Sequence, residues 1–309
     1  MAAQDLEPKD SSVPAPMPAG TGHTQAVRCA AFTRDSDRIV TCSLDGTAKV
    51  WDALTGQVLT TLRGNGAGLL HAALSSDSLR LVTCSQDNSA LVWDTSTNQP
   101  LFTLTGHSDA VTSAAFSPNC RYIVTCGWDG KAIIWDARTG QNLHALADCF
   151  QTVAVSPDGK CLISGSSDHA AVVRDATSEE AVLTLPLPRG AVHAGFSRDG
   201  ARILTCAGDS ARVWDAATGE QLLELKQNEI ACAAFSPDGR FIATVGGAGR
   251  RTANVWDAVD GQALTPLLGH EGKVSSVDFA PNGETIVTGG YDCTARVWET
   301  STGRELLKL

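Results

Sequence analysis

The sequence predicts an all-β fold: a β-propeller of seven blades, each a four-stranded antiparallel sheet. Three observations predict it. A two-residue mark recurs at Trp51-Asp52, Trp93-Asp94, Trp135-Asp136, Arg174-Asp175, Trp214-Asp215, Trp256-Asp257 and Trp298-Glu299, at intervals of 42, 42, 39, 40, 42 and 42 residues. Each interval holds four short apolar runs rich in β-branched residues and separated by turn residues, the pattern of strands. Six of the seven tryptophans occupy the same slot of that repeat. A unit of about 40 residues cannot bury its own apolar faces, so repetition at this period implies blades stacked around an axis.

The chain has 309 residues, which by length alone suggests about two domains. A propeller accounts for that length as one domain, because each blade packs on its neighbours. We expect residues 1–20 to form a disordered Pro- and acid-rich tail, with Pro8, Pro14, Pro16 and Pro18 spread through it, and residues 21–309 to form the propeller. The tail lacks the apolar core of a secretion signal. Hydrophobic residues make up 43% and charged residues 19%, as in a well-buried folded chain. The net charge of −10 argues against direct nucleic-acid binding and against anionic membranes. No apolar run approaches the ~18 residues of a membrane-spanning helix.

Each unit reads as strands a, b, c and d. In blade 3, a lies near Val111–Phe116, b near Tyr122–Cys126, c near Lys131–Trp135 and d near Asn142–Leu146. Asp129-Gly130 turns b into c, since glycine accepts the positive φ that a tight turn needs. Strand a carries Ala30-Ala31, Ala72-Ala73, Ala114-Ala115, Val153-Ala154, Ala194-Gly195, Ala233-Ala234 and Val277-Asp278 at one position. Small side chains suit seven inner strands converging on an axis. Asp278 departs from this rule and is expected to reach the central channel. Residues 303–309 read as strand d of blade 7. The ring is therefore expected to close by side-chain packing between blades 7 and 1, without a strand donated by the N-terminus.

Cys42, Cys84, Cys126 and Cys206 each follow the strand-b threonine, so they are one structural position in four blades. Buried free cysteine acts as a small hydrophobe. With ten cysteines, no Cys-x-x-Cys and no expected disulfide, a cytoplasmic or otherwise intracellular setting is predicted.

Gly-His, Phe-Ser-Pro-Asp-Gly and Trp-Asp recur in phase, as at Gly106-His107, residues 235–239 and Trp135-Asp136. In these residues the chain resembles the WD-repeat β-propeller family over roughly residues 22–309. The resemblance implies a hydrogen-bonded tetrad in each blade: a His before strand a, a Ser or Thr on b, an Asp in the b–c turn and the Trp of c. Blade 1 supplies His23, Thr41, Asp45 and Trp51; blade 3 supplies His107, Thr125, Asp129 and Trp135; blade 7 supplies His270, Thr288, Asp292 and Trp298. Blades 2, 4, 5 and 6 depart from it. Gly64-Asn65 replaces Gly-His in blade 2, Arg174 replaces Trp in blade 4, the blade 5 turn is one residue short, and Ala248-Gly249-Arg250-Arg251 lengthens that of blade 6. Clamping is expected to be weakest in blades 4 to 6.

A His-Asp pair can serve catalysis, but its repetition beside a buried Trp points to structure. The sequence has neither a phosphate-binding Gly-x-x-x-x-Gly-Lys-Ser/Thr loop nor a Gly-x-Ser-x-Gly nucleophile turn. His71 with Cys29, or His193 with Cys232, gives two ligands per site, too few for zinc. No catalytic residue, metal or cofactor is therefore predicted. The resemblance implies protein or peptide partners on the face of the d–a and b–c loops. Candidate contacts there are Trp128, Tyr291, Leu44 and Gln86, each just before a b–c turn Asp, as are Ser167 and Gly208. Arg250 and Arg251 could receive an acidic segment. The expected function is a non-enzymatic scaffold or adaptor, monomeric within a larger assembly. The alternative rests on Trp135-Asp136-Ala137-Arg138, which is similar to the Trp-Asp-x-Arg box of substrate receptors in cullin-based ubiquitin ligases. There Arg138 would contact the adaptor.

Overall fold

The computed structural model describes residues 22–64, 66–166, 169–246, 249 and 251–309. Among the described residues, twenty-eight strands are gathered into seven four-stranded sheets. Every sheet runs in the order a-b-c-d with antiparallel neighbours. Blade 1 is built from Val27–Phe32, Arg38–Ser43, Thr47–Asp52 and Val58–Arg63. Blade 3 is built from Val111–Phe116, Tyr122–Gly127, Lys131–Asp136 and Asn142–Ala147. Blade 7 takes all four strands from the C-terminal segment: Val274–Phe279, Thr285–Gly290, Ala295–Glu299 and Glu305–Lys308. Residues 1–20, read above as a tail, lie outside the described residues.

Burial explains the composition of each strand. Strand b is covered on both faces by adjacent blades, so Ile123 to Gly127 are buried without a break. That environment selects the near-continuous run Ile-Val-Thr-Cys rather than an alternating pattern. Strand d is the outer edge: in Asn142–Ala147 only Leu146 is buried, and the equivalent anchors are Leu62, Leu104, Leu185, Leu225 and Leu267.

The core lies between blades rather than within them. Val82, Val92 and Leu104 of blade 2 pack with Ala114, Ile123 and Trp135 of blade 3. At the ring's seam Val27, Ala30 and Trp51 of blade 1 pack with Ala280, Val287, Val297 and Leu309 of blade 7.

The inner strands carry a second, polar seam around the channel. Strand a is an edge, so its outward N–H and C=O groups need partners from elsewhere. One slot carries Cys29, His71, Ser113, Thr152, His193, Cys232 and Ser276, and the first four supply such partners. Cys29 Sγ donates to the Ala72 carbonyl at 3.4 Å. The N–H of Ala114 donates to His71 Nδ1 at 3.4 Å, that of Val153 to Ser113 Oγ at 3.4 Å, and that of Ala194 to Thr152 Oγ1 at 3.2 Å. Each bond therefore ties one blade to the next. Because His71 Nδ1 accepts, its proton sits on Nε2. Burial first, then the nearby His193 and Arg28, lowers its pKa to about 4, so the ring is neutral.

Asp278 lines the channel wall, but it is also tied to the protein: Oδ2 accepts the N–H of Phe32 in blade 1 at 3.0 Å. Burial pushes its carboxyl up to about 6 against the help of that bond.

Candidate interaction face

In blade 3 the four implied residues are joined. His107 Nδ1 lies 3.0 Å from Asp129 Oδ1, His107 Nε2 lies 2.8 Å from Thr125 Oγ1, and Trp135 Nε1 donates to Thr125 Oγ1 at 2.8 Å. Donor chemistry sets the directions. The indole can only donate, so the Thr125 hydroxyl turns its proton to His107 Nε2, leaving Nδ1–H to donate to the carboxylate. The whole chain is satisfied with a neutral imidazole. Blade 1 repeats it with His23–Asp45 at 2.9 Å, His23–Thr41 at 2.7 Å and Trp51–Thr41 at 2.8 Å. Blade 7 repeats it with His270–Asp292 at 2.9 Å, His270–Thr288 at 2.7 Å and Trp298–Thr288 at 2.8 Å.

The electrostatics agree with that assignment. Burial lowers the His23 pKa, outweighing the attraction of Asp45. Burial also opposes ionisation of Asp45, but donors from the Thr47 hydroxyl, the Thr24 N–H and His23 outweigh it and hold the carboxyl at about 2. Asp129 and Asp292 are lowered by the same kind of balance: burial resists, and donors that include their histidines prevail.

The remaining blades keep parts of this device. Blades 2 and 5 retain the indole–hydroxyl bond, Trp93 to Thr83 at 2.9 Å and Trp214 to Thr205 at 2.8 Å. Asp209 in blade 5 instead accepts the N–H of Glu229 in the following loop at 3.0 Å. In blade 6 Trp256 donates to Thr244 at 2.8 Å, and the Thr244 hydroxyl donates to Gln227 Oε1. Gln227 thus stands in for the histidine. In blade 4 the hydroxyl of Ser164 donates to Cys149 Sγ at 3.4 Å, and Arg174 fills the tryptophan slot with Nε buried and unpartnered among the described residues. Sequence reasoning missed both substitutes, though a signal existed. Each tetrad histidine precedes its threonine by 18 residues, Gln227 precedes Thr244 by 17, and Cys149 precedes Ser164 by 15 in a loop about three residues short. Asn65, Ser167, Asp168 and Ala248 lie outside the described residues.

The model of the WD domain, G-beta repeat, matches residues 17–52, 56–94, 98–136, 143–175, 219–257 and 261–299. The chain belongs to the WD40-repeat family. The longest stretch between matches, residues 176–218, holds the outer strand of blade 4 and the first three strands of blade 5 of this WD40 propeller, where the b–c turn is short. No curated protein matches the sequence.

On the d–a/b–c face, the turn residues read as candidate contacts are pinned by their backbones. The N–H of Leu44 donates to Ala26 O at 3.0 Å, Gln86 to Gly68 O at 3.0 Å, Trp128 to Ala110 O at 3.0 Å, and Tyr291 to Lys273 O at 2.7 Å. Leu44 and Gln86 come together over Gly68, whose Cα hydrogens leave room for both side chains. Trp128 is 51% exposed at the channel mouth, and Tyr291 is 39% exposed. Arg28 Nη1 donates to the Tyr291 hydroxyl, and the Arg28 and Lys273 cations lie 5.5 and 5.4 Å from the ring centroid, within cation–π range. Arg28 and Lys273 were not singled out from sequence; the clue was a lone cation on an inner strand where other blades place Leu70, Thr112, Val192 or Ala231. Arg251 is exposed, and Arg250 lies outside the described residues. Arg138 sits on the opposite face, in a c–d turn capped by Asp136, and is exposed. Among the described residues no group of three His, Cys, Asp or Glu side chains is arranged to hold a metal ion.

Proposed function

We propose that this WD40 propeller is a non-enzymatic scaffold that seats protein or peptide partners on its d–a/b–c face, in an intracellular assembly. The observation that carries this reading is the pair of exposed aromatics, Trp128 and Tyr291, on turns whose backbones are already pinned. Tryptophan and tyrosine are enriched among binding hot spots, and a pinned backbone lowers the ordering cost of binding. Leu44, Gln86 and Arg251 would widen the surface. The test is affinity capture with mass spectrometry, comparing wild type with Trp128→Ala and Tyr291→Ala after checking that thermal unfolding is unchanged. Loss of partners in at least one variant is expected. Retention of every partner by both would remove the proposed face.

The exposed Arg138 favours the second reading, a substrate receptor of a cullin-based ubiquitin ligase. That reading requires capture of the ligase adaptor by purified protein and its abolition by Arg138→Ala.

A further inference from the structure

Strand b presents a cysteine beside the polar slot of strand a in four blades, and the pairing register fixes what each faces. Cys84 lies opposite His71, Cys126 opposite Ser113 and Cys206 opposite His193. Only in blade 1 does the slot hold a second thiol, with Cys29 opposite Cys42. Antiparallel register partners have Cα atoms about 4.5–5.5 Å apart, inside the roughly 4.4–6.8 Å span of disulfides. Being register partners in an antiparallel pair, the two side chains share one face of the sheet. Cys29 also lines the central channel, whose volume is about 1120 Å³, whereas Cys42 does not.

We propose that Cys29 and Cys42 form a disulfide when the folded protein meets a peroxide. The site is a dithiol, not a lone cysteine, and its two members have different parts. The neighbouring Cys42 thiol lowers the Cys29 pKa, ahead of burial acting the other way; burial first raises that of Cys42. Cys29 is therefore the attacking thiolate. In the first step an S–O bond forms, the O–O bond of hydrogen peroxide breaks, and hydroxide leaves, taking up the thiol proton as water. The Cys42 sulfur then attacks Cys29 Sγ; the S–S bond forms, the S–O bond breaks, and the hydroxyl leaves with the Cys42 proton as a second water. Two thiols are oxidised and one peroxide is reduced to two waters.

The bond has a local consequence. It removes the S–H that Cys29 gives to the Ala72 carbonyl, one of the ties between blades 1 and 2. Cys29 also follows directly on Arg28, the residue bonded to Tyr291.

The experiment uses the full chain, folded and reduced. It is exposed to a modest molar excess of hydrogen peroxide, unfolded with an alkylating agent present, and digested with trypsin without reduction. Cleavage after Arg28, Arg34, Arg38 and Lys49 places the two cysteines in separate peptides, 29–34 and 39–49, with one cysteine each. The expected result is a linked pair, two hydrogens lighter than its parts, with loss of both alkylated peptides. Cys84, Cys126 and Cys206 should remain alkylated, and the linked mass should be absent from Cys29→Ser and Cys42→Ser. The proposal is overturned if both peptides are recovered alkylated after peroxide. It is equally overturned if Cys29 appears only as sulfinic acid beside an alkylated Cys42, or is linked to another cysteine. The decisive measurement is on wild type, so it stands even if a variant fails to fold.

Discussion

Blades 3 and 4 are neighbours with the same four antiparallel strands, yet they are held differently. Blade 3 threads Asp129, His107, Thr125 and Trp135 into one hydrogen-bonded chain, with Trp135 almost fully buried. Among the described residues, blade 4 has the weak Ser164–Cys149 bond there, and an arginine where the indole would be. Strand pairing is complete in both. The tetrad is therefore not what makes a blade. Paired backbones and the apolar seams between blades do that, while the tetrad fixes the loops above them. It also allows polar groups to be buried without an orphan.

This contrast can be broken most severely at the indole. Trp135→Ala should cost about 3–5 kcal/mol, since it empties a large buried volume, whereas Arg174→Ala at the same slot of blade 4 should cost under ~1 kcal/mol. Urea unfolding midpoints test this, and equal losses would mean that the slot matters more than its occupant. A smaller difference is expected at the turn acid. Asp129→Ala strands the buried Nδ1–H of His107 and should cost about 2–3 kcal/mol. Asp209→Ala, in the exposed turn of blade 5, removes a loop cap and should cost no more than ~1 kcal/mol.

A third effect is a matter of pH. The folded-state pKa of Asp278, about 6, lies above its usual 3.8, so the folded chain holds this proton more tightly than the unfolded one. Its contribution to stability is therefore greatest below pH 4, falls as pH rises through 4 to 6, and stays lower above. Asp278→Asn can still accept the Phe32 N–H. It should raise the melting temperature at pH 7.5, by at most about 3 kcal/mol of stability, and leave it nearly unchanged at pH 4. Asp45, held at about 2, works in the opposite sense: its stabilisation is present above pH 4 and is lost as pH falls toward 2.

The blades were legible because a hairpin announces itself locally, in Asp129-Gly130 between two β-branched runs and in Trp135-Asp136 at a fixed spacing. What escaped the sequence joins residues that no local pattern links. Arg28 and Tyr291 are 263 positions apart, and the inner slot becomes a seam only when strand a of one blade meets the next, as Thr152 meets Ala194. Gln227 and Cys149 were hidden for a simpler reason: they replace a histidine with chemically different groups that can still accept a hydroxyl proton.

The Phe32–Asp278 bond has one more consequence, for how the ring assembles and opens. Inner-rim bonds such as Thr152–Ala194 span 42 positions, whereas this one spans 246. Loop-closure entropy grows with the logarithm of that span, so joining blade 7 to blade 1 costs on the order of 1.5 kcal/mol more than joining any other pair. The same bond rests on a carboxylate that burial disfavours. Such a ring should close last at this junction and loosen first there, with the Phe32 amide exchanging its hydrogen ahead of that of Ala194.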